Sequence, residues 1–429
     1  MNIQIGLLGC GTVGAGVVEL VGRRAEKITD LTGSRPVIKK VLVRDVNKPR
    51  SVELAPEVLT SRVEDILEDD EIRVVVETMG GIETARDYIL RALRKGKHVI
   101  TANKDLIAVH GAEILDIADE MGVSVLYEAA VGGAIPLIRP LKESLTANNI
   151  TDLKGIVNGT TNYILSKMTE TGADFDEVLR EAQDLGYAES DPSSDVDGLD
   201  AARKLTILAT IAFHAKVRLD EVRVEGIRSI TAADVAYAHE LGCVIKLLAV
   251  GNDKDGVISL HVRPTMVSKQ HPLAHVSDAF NALFVRGDAA GDLMFFGRGA
   301  GSLPTASAVV GDVIEVFRNI RLGVFDRMSQ VCVTSKVVSA YPAQPMKHYL
   351  RLSVDDRSGV FAQIAGIFGE LEVSMETVLQ KRVQNGGAEV VVVTHQVPPV
   401  QLEKVLNRLR ELDAVRELHC VIPVEQESA

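Results

Sequence analysis

Met1-Asn-Ile-Gln-Ile-Gly-Leu-Leu8, followed at once by Gly9-Cys-Gly-Thr-Val-Gly14, sets the architecture of the N-terminal part of the chain. The first eight residues form a short apolar strand pattern. Residues 15–25 then carry Val17, Val18, Leu20 and Val21 at helical spacing. A strand, a G-x-G-x-x-G turn and a helix in that order make the fingerprint of a dinucleotide-binding fold. Gly9 permits the tight turn, Gly11 lets a pyrophosphate approach the backbone, and Gly14 lets helix and strand pack closely. The amides at the helix start, at Thr12, Val13 and Gly14, then face the phosphates.

Working outward, the strand pattern Val37 to Val43 ends in Arg44-Asp45-Val46-Asn47-Lys48, where the adenosine ribose is expected. An acid there bonds the 2′-hydroxyl of NAD, and an arginine accommodates the 2′-phosphate of NADP. Both residue types are present, and Arg44 with nearby Lys48 tilts the reading toward NADP. Further strand patterns carry polar residues at their carboxyl ends, where open α/β sheets bind ligands. One ends at Glu77-Thr78-Met-Gly-Gly81, one at Thr101-Ala-Asn-Lys104, and one at Glu128-Ala-Ala-Val131-Gly-Gly133-Ala-Ile135-Pro136. Lys104 suits the nicotinamide side of the crevice; a solvated surface lysine is the alternative. Glu128 and the glycines after it suit a hard cation or, equally, a tight structural turn.

The bulk numbers restrict the function class. A chain of 429 residues exceeds one compact core, so two or three domains are expected. A net charge of −12 and a pI near 5.4 argue against a nucleic-acid or anionic-membrane partner. Cys10, Cys243, Cys332 and Cys420 lack metal-ligand or disulfide spacing and suit a reducing cytoplasm. No secretory pattern opens the chain, and no apolar run approaches bilayer-spanning length.

Glu189-Ser-Asp-Pro-Ser-Ser-Asp195-Val-Asp-Gly-Leu-Asp200-Ala-Ala-Arg-Lys204 packs five carboxylates and a lysine into a loop that runs into a helix pattern. Asp200 and Lys204 are four apart and share one helix face. A lysine held beside carboxylates suits proton transfer on a polar substrate; a solvated loop with a surface ion pair is the alternative. Calcium is excluded, because counting from Asp191 places Val196 at loop position six and Ala202 at twelve. Gly297-Arg-Gly-Ala-Gly301-Ser-Leu-Pro304 is a second glycine-rich helix start, reading as a return to the cofactor or as an interdomain turn. After a Pro-containing linker at 341–347 the pattern becomes βαββαβ over residues 348–424, a ferredoxin-like module. The fold class is therefore α/β: a Rossmann-type N-terminal domain, an α+β substrate domain, and the ferredoxin-like module.

With these residues in view the chain resembles the long bacterial homoserine dehydrogenases, which carry a C-terminal ACT domain. The motifs concerned are Gly9-x-Gly-Thr-Val-Gly14, Thr101-Ala-Asn-Lys104, Tyr127-Glu-Ala-Ala-Val-Gly-Gly-Ala-Ile-Pro136, Gly155-Ile-Val-Asn-Gly-Thr-Thr-Asn162, and Gly186-Tyr187-Ala-Glu189-x-Asp-Pro192 leading to Lys204. The resemblance implies NAD(P)-dependent interconversion of L-homoserine and L-aspartate 4-semialdehyde, on the route to threonine, methionine and isoleucine. It implies Lys204 as acid/base held by Asp200, Lys104 near the reacting carbon, and a substrate pocket of Glu189, Asp195 and Tyr187. A free lysine titrates near about 10.4, so oxidation is expected to quicken above neutrality. The cofactor is then expected on the Gly9–Gly14 loop, Arg44, Thr78, Lys104 and Gly301, and the likeness adds a sodium ion on Glu128, Val131, Gly133 and Ile135, held largely by backbone carbonyls. It implies a nucleotide domain at 1–135 completed by about 298–320, a substrate and dimerisation domain at 136–297, and an ACT domain at 348–424. Asp355, Asp356 and Gly359 then mark an L-threonine effector turn in a cytoplasmic homodimer or homotetramer. The competing readings are another semialdehyde dehydrogenase, and an amino-acid sensor whose nucleotide fold is only a scaffold.

Overall fold

A computed structural model describes residues 2–324, 336–339, 345–383 and 387–425. Residues 341–344 of the expected linker, and Cys332, lie outside the described residues. Two compact units form, Met1–Leu153 with Arg203–Asp220 and Asn281–Lys336, and Lys154–Ala202 with Glu221–Phe280 and Val337–Ala429.

In the first unit the chain runs β1 (Asn2–Leu8), α1 (Thr12–Thr32), β2 (Arg35–Leu42), β3 (Leu59–Thr60), α2 (Glu64–Leu67), β4 (Ile72–Glu77), α3 (Glu83–Arg94), β5 (His98–Thr101), α4 (Lys104–Met121) and β6 (Val125–Leu126). The six strands are parallel in the order β3-β2-β1-β4-β5-β6, the doubly wound arrangement of dinucleotide-binding folds. Helices cover both faces, so Val74, Val75 and Val76 of β4 are wholly buried and read as an unbroken apolar run.

The chain continues through β7 (Ile150–Ile156), α5 (Gly159–Thr171), α6 (Phe175–Asp184), α7 (Ser193–Val196), α8 (Leu199–Ala212), β8 (Arg223–Val224), α9 (Ala232–Glu240), β9 (Cys243–Lys254), β10 (Val257–Ser268), β11 (Phe280–Gly287), β12 (Gly291–Arg298) and α10 (Ser302–Leu322). β9 and β10 form an antiparallel hairpin closed by Asp255-Gly256, both at positive φ, the two-residue turn this dipeptide favours. Helix α10 lies on α1. The Ser302 hydroxyl donates to the Thr12 carbonyl at 2.8 Å, and a Cβ on Gly16 would come within 2.8 Å of the Ser302 carbonyl. Val309, Val313 and Phe317 of α10 share a core with Ile3, Ile5, Val17 and Val21.

In the second unit, β13 (Val337–Ser339) pairs in parallel with β10. The C-terminal module follows as β14 (Lys347–Asp355), α11 (Val360–Glu370), β15 (Met375–Val383), β16 (Gly387–Thr394), α12 (Pro399–Arg410) and β17 (Val415–Glu425). Its sheet order is β17-β14-β16-β15, the ferredoxin-like arrangement, and β17 also pairs with β10 through Met266 and Val424. One side of the sheet buries Leu350, Leu352 and Val354 against Ile364, Phe368 and Leu409 of the two helices.

Phe317 is fully buried in the core that α10 shares with β1 and α1. Phe317→Ala is expected to cost about 3–5 kcal/mol of unfolding free energy. Urea denaturation reads this out, and an unchanged midpoint would mean that α10 is not integral to the nucleotide unit.

Candidate active site

The nucleotide end of the first unit is built from backbone. Gly9 has φ +96°, a conformation that side-chain-bearing residues rarely adopt. A Cβ on Gly14 would lie 2.3 Å from the Gly9 carbonyl oxygen, whereas one on Gly11 would meet nothing within 4 Å. The turn is thus closed on its protein side and open where a diphosphate needs room. Gly11 caps α1 without a side-chain hydrogen bond, leaving the first-turn amides around Thr12 and Val13 for an anion. The Thr78 hydroxyl donates to the Gly9 carbonyl at 3.0 Å, locking the β4 end to the turn. Gly301 caps α10 at φ +124°. Arg44 is exposed just beyond β2. The neighbouring loop is folded by Arg50, which sequence reasoning missed and which donates to the Lys48 carbonyl at 2.6 Å and to the Asp45 carbonyl.

A cavity of about 220 Å³ gathers Val13, Thr78, Gly80, Asn103 and Lys104. Lys104 opens α4, whose cap is Asn103: the Asn103 side chain accepts from the Leu106 amide at 3.1 Å and donates to the Gly81 carbonyl at 2.6 Å. Beneath it Glu77 is wholly buried and accepts from the Thr101 hydroxyl at 2.6 Å and the Met79 amide at 2.7 Å. Burial pushes its carboxyl up, against the pull of these donors. In the same unit the part of α8 from Arg203 onward meets the start of α4, where Arg203 pairs with Asp105 at 3.0 Å. Those two residues are the chain neighbours of Lys204 and Lys104.

The carboxylate cluster belongs to the second unit, and its organiser is Asn158, the cap of α5. Its Oδ1 accepts from the Thr161 amide at 2.8 Å. Its Nδ2 donates to Asp195 at 2.7 Å and to Asp200 at 2.9 Å. Thr160 adds a hydrogen bond to Asp195 at 3.1 Å and another to the Tyr187 carbonyl at 2.7 Å. The Tyr187 ring stacks on Tyr163 with centroids 4.7 Å apart, and Glu189 is exposed beyond it. Asp200 is buried, and Lys204 follows one turn later on the same helix, half-buried. The structure therefore brings Asp195 and Asp200 to one asparagine, with Thr160 linking Asp195 to Tyr187. Asn158 lies in a quoted motif, but its N-x-x-T spacing reads first as a helix cap.

Comparison with known proteins places this geometry. The family profile described as homoserine dehydrogenase matches residues 136–314, its NAD-binding-domain profile matches 9–128, and the ACT-domain profile matches 348–414. The homoserine dehydrogenase of Bacillus subtilis is 44% identical over 425 residues, 99% of this chain and 98% of the relative. That of Synechocystis is 47% identical over 439 residues, 99% of this chain and all of the relative. The chain belongs to the homoserine dehydrogenase family. It is an NAD(P)-dependent oxidoreductase. The crystal structure of a homoserine dehydrogenase from Thiobacillus denitrificans superposes with TM-score 0.93 at 41% identity, covering 99% of this chain and 98% of that one. A hyperthermophilic archaeal homoserine dehydrogenase in complex with NADPH gives TM-score 0.63 at 26% identity over 74% of this chain and 98% of that one.

In this homoserine dehydrogenase the Glu128 carboxylate is already occupied. It accepts from the backbone amides of Leu137 at 2.6 Å, Ile138 at 2.9 Å and Arg139 at 2.8 Å, capping the turn after Pro136. A cation beside Glu128, Val131, Gly133 and Ile135 would thus be held by main-chain carbonyls. Gly133 lies so close to the Gly299 carbonyl that a Cβ there would come within 2.4 Å. Asp312 of α10 accepts from the Glu128 amide at 3.0 Å and from Arg139 at 3.1 Å. Burial and the Glu128 charge push the Asp312 carboxyl up to about 8.

Lys246 is another residue the sequence did not single out. It donates to Asn162 Oδ1 at 3.0 Å and to the Val276 carbonyl at 2.6 Å, while Asn162 donates to the Asp278 carbonyl at 2.9 Å. Burial pushes its ammonium down to about 8. Within the apolar run 244–250 of β9 a single lysine reads as an edge residue, so no sequence signal marked it.

Two expectations follow. Asn158→Asp sets a third carboxylate against Asp195 and Asp200, and kcat/KM for homoserine is expected to fall roughly 100-fold, about 2.7 kcal/mol. Retained kcat/KM would remove Asn158 from the site. For Lys246, below about pH 8 both folded and unfolded chains carry the proton, and the cost of burying that charge is fully felt. Between about 8 and 10.5 only the unfolded chain keeps the proton, so stability rises with pH. The gain of wild type relative to Lys246→Met across that window is expected to be about 3 kcal/mol by urea titration. Parallel pH profiles for the two proteins would refute the assignment.

Proposed function

We propose that this chain interconverts L-homoserine and L-aspartate 4-semialdehyde, with Lys204 as the acid/base. The observation that carries the reading is the Asn158 clamp on Asp195 and Asp200, one helical turn before Lys204. In the oxidation direction Lys204 takes the proton from the homoserine hydroxyl as the reacting carbon loses hydride. In the reduction direction its ammonium returns a proton to the developing alkoxide. The bound nicotinamide accepts or supplies the hydride. Asp200 keeps Lys204 oriented, Glu189 takes the substrate ammonium, and Asp195 with Tyr187 completes the polar pocket. Lys104, in the cavity with Val13 and Thr78, stands on the nicotinamide side.

The cofactor reading is NADP before NAD. Exposed Arg44 supports it, with Gly9, Gly11, Thr12, Val13, Gly14, Thr78 and Gly301 forming the rest of the cradle. A sodium ion on the carbonyls of Glu128, Val131, Gly133 and Ile135 serves to fix that loop. The division into residues 1–135 completed by about 298–320, residues 136–297 and residues 348–424 follows the same reading. In the ACT module the effector is L-threonine at the β14–α11 turn. Gly359 caps α11 there at φ +91° without a side-chain bond, and Asp355 is held by Arg416 at 2.9 Å. The assembly is a cytoplasmic homodimer or homotetramer. Among the described residues no helix is long and apolar enough to cross a membrane.

The test is reduced-nicotinamide formation from L-homoserine on the full chain, with NAD and NADP separately, with and without L-threonine. Wild type is expected to turn over faster above neutrality and to slow with threonine. Lys204→Met is expected to lose about 10²–10⁴-fold in kcat while still binding NADP. Full turnover in that variant would overturn the mechanism, and threonine-indifferent turnover would overturn the effector assignment.

A further inference from the structure

Strands β8 and β10 run in parallel with Arg223 opposite His261, so Arg223, Glu225, His261 and Arg263 fall on one face by strand alternation. Together with α12 and β14 they enclose a cavity of about 350 Å³ within the second unit. One wall belongs to the homoserine dehydrogenase match and the other to the ACT match. Leu402, Leu406 and Arg410 line it from α12 at four-residue spacing.

The charges in this cavity are unbalanced. Arg263 is largely sequestered, and burial pushes its guanidinium down to about 10. Among the described residues its side chain donates only to the Met346 sulfur, at 3.2 Å, and its Nε has no partner. Burial and the nearby Arg263 also hold His348 down to about 4 and His261 well below the ordinary imidazole value, so both rings are neutral at pH 7. Three guanidiniums, on Arg223, Arg263 and Arg410, then face two carboxylates, on Glu225 and Glu403, without an ion pair among the described residues. Glu225 and Glu425 act on Arg263 only from beyond ion-pair distance; a buried charge so incompletely met is costly, and a ligand carboxylate would relieve it. A multiply charged anion would meet the two glutamates, whereas a zwitterion satisfies both signs.

We propose that this cavity binds a free α-amino acid, its carboxylate on Arg263, its ammonium on Glu225, and its side chain against Leu402 and Leu406. The site is separate from the Asp355–Gly359 turn. A route leads from it to the substrate carboxylates. Gly226, which follows Glu225, abuts the chain at Val196, where a Cβ would come within 2.3 Å of the carbonyl oxygen. The next residue, Ile227, donates to that carbonyl at 2.8 Å. Val196 is the neighbour of Asp195, so this route rests on the assignment of Asp195 to the substrate pocket, whereas the binding itself does not.

The experiment is calorimetric titration of the full chain with each protein-forming L-α-amino acid, and with inorganic phosphate. At least one amino acid is expected to bind wild type, with affinity at least tenfold weaker in Arg263→Met and in Glu225→Gln. Its primary amide, which lacks the carboxylate, is expected to bind at least tenfold more weakly, and Asp356→Ala to leave the affinity unchanged. If no amino acid's binding is weakened by both Arg263→Met and Glu225→Gln, if none binds, or if phosphate alone binds, the proposal is overturned. Glu225 is at the exposed edge, so its variant decides the matter if Arg263→Met fails to fold. Homoserine turnover by Glu225→Gln without effector separates the two readings: retained turnover with lost binding supports both. Threonine inhibition of wild type with no amino acid bound at this cavity overturns only the present one.

Discussion

Two carboxylates that must stand side by side repel each other, and the site is arranged around that constraint. Asp195 and Asp200 both accept from the one amide group of Asn158, whose two hydrogens point to different oxygens. Because Asn158 also caps α5, the pair is indexed to the end of β7 and the start of a helix, both well buried. The carboxylates are therefore placed by a backbone junction and not by the loop that carries Asp195. Helix α8 then transmits the position of Asp200 to Lys204 with the fixed rise of about one turn.

What was legible in the sequence was what backbone geometry demands. Gly9, Gly11 and Gly14 each answer to a different steric requirement, and the structure repeats those requirements as a positive φ, an open approach and a 2.3 Å exclusion. The βαββαβ pattern was legible because each element alternates or repeats apolar residues against a single core. Residues whose roles depend on partners distant in sequence were not. Asn158 presents itself locally as a cap, and its bonds to Asp195 and Asp200 are 37 and 42 residues away. Lys246 looks like an ordinary polar interruption until Asn162 and the Val276 carbonyl are brought to it. Glu128 drew attention as a cation ligand, yet its side chain is engaged by three amides that no spacing rule anticipates.

The second unit also shows how the ACT module is tied to the catalytic part of the chain. Arg351 of β14 reaches Asp234 of α9 at 2.7 Å and Glu389 of β16 at 2.8 Å, and bonds the Thr231 hydroxyl at 3.0 Å. Burial alone would raise the Asp234 carboxyl; Arg351 and Thr231 outweigh it and hold it below the usual carboxylate range. Asp234 is at the same time the reciprocal partner in the Thr231 capping box. One arginine thus finishes the cap of α9 and bonds to Glu389 on the neighbouring ACT strand. Removing it would strand a buried carboxylate, so the network favours a single docking of the module.

Arg351 and Arg263 make an instructive pair, since both are sequestered in the same unit. Around Arg351 the fold supplies two carboxylates and a hydroxyl, and burial costs are offset within the protein. Around Arg263 the direct partner is a thioether and Nε is unpaired, two imidazoles are kept neutral, and the Glu225 and Glu425 charges act on it without an ion pair among the described residues. A guanidinium remains charged at this degree of burial, so the second arrangement stores an unmet electrostatic demand. Nothing in the strand pattern of β10 requires an arginine there: Val267, four residues on and on the same face by strand alternation, is a buried apolar residue. A charge kept where an apolar residue would pack more cheaply is best understood as a recognition group, completed when a carboxylate arrives.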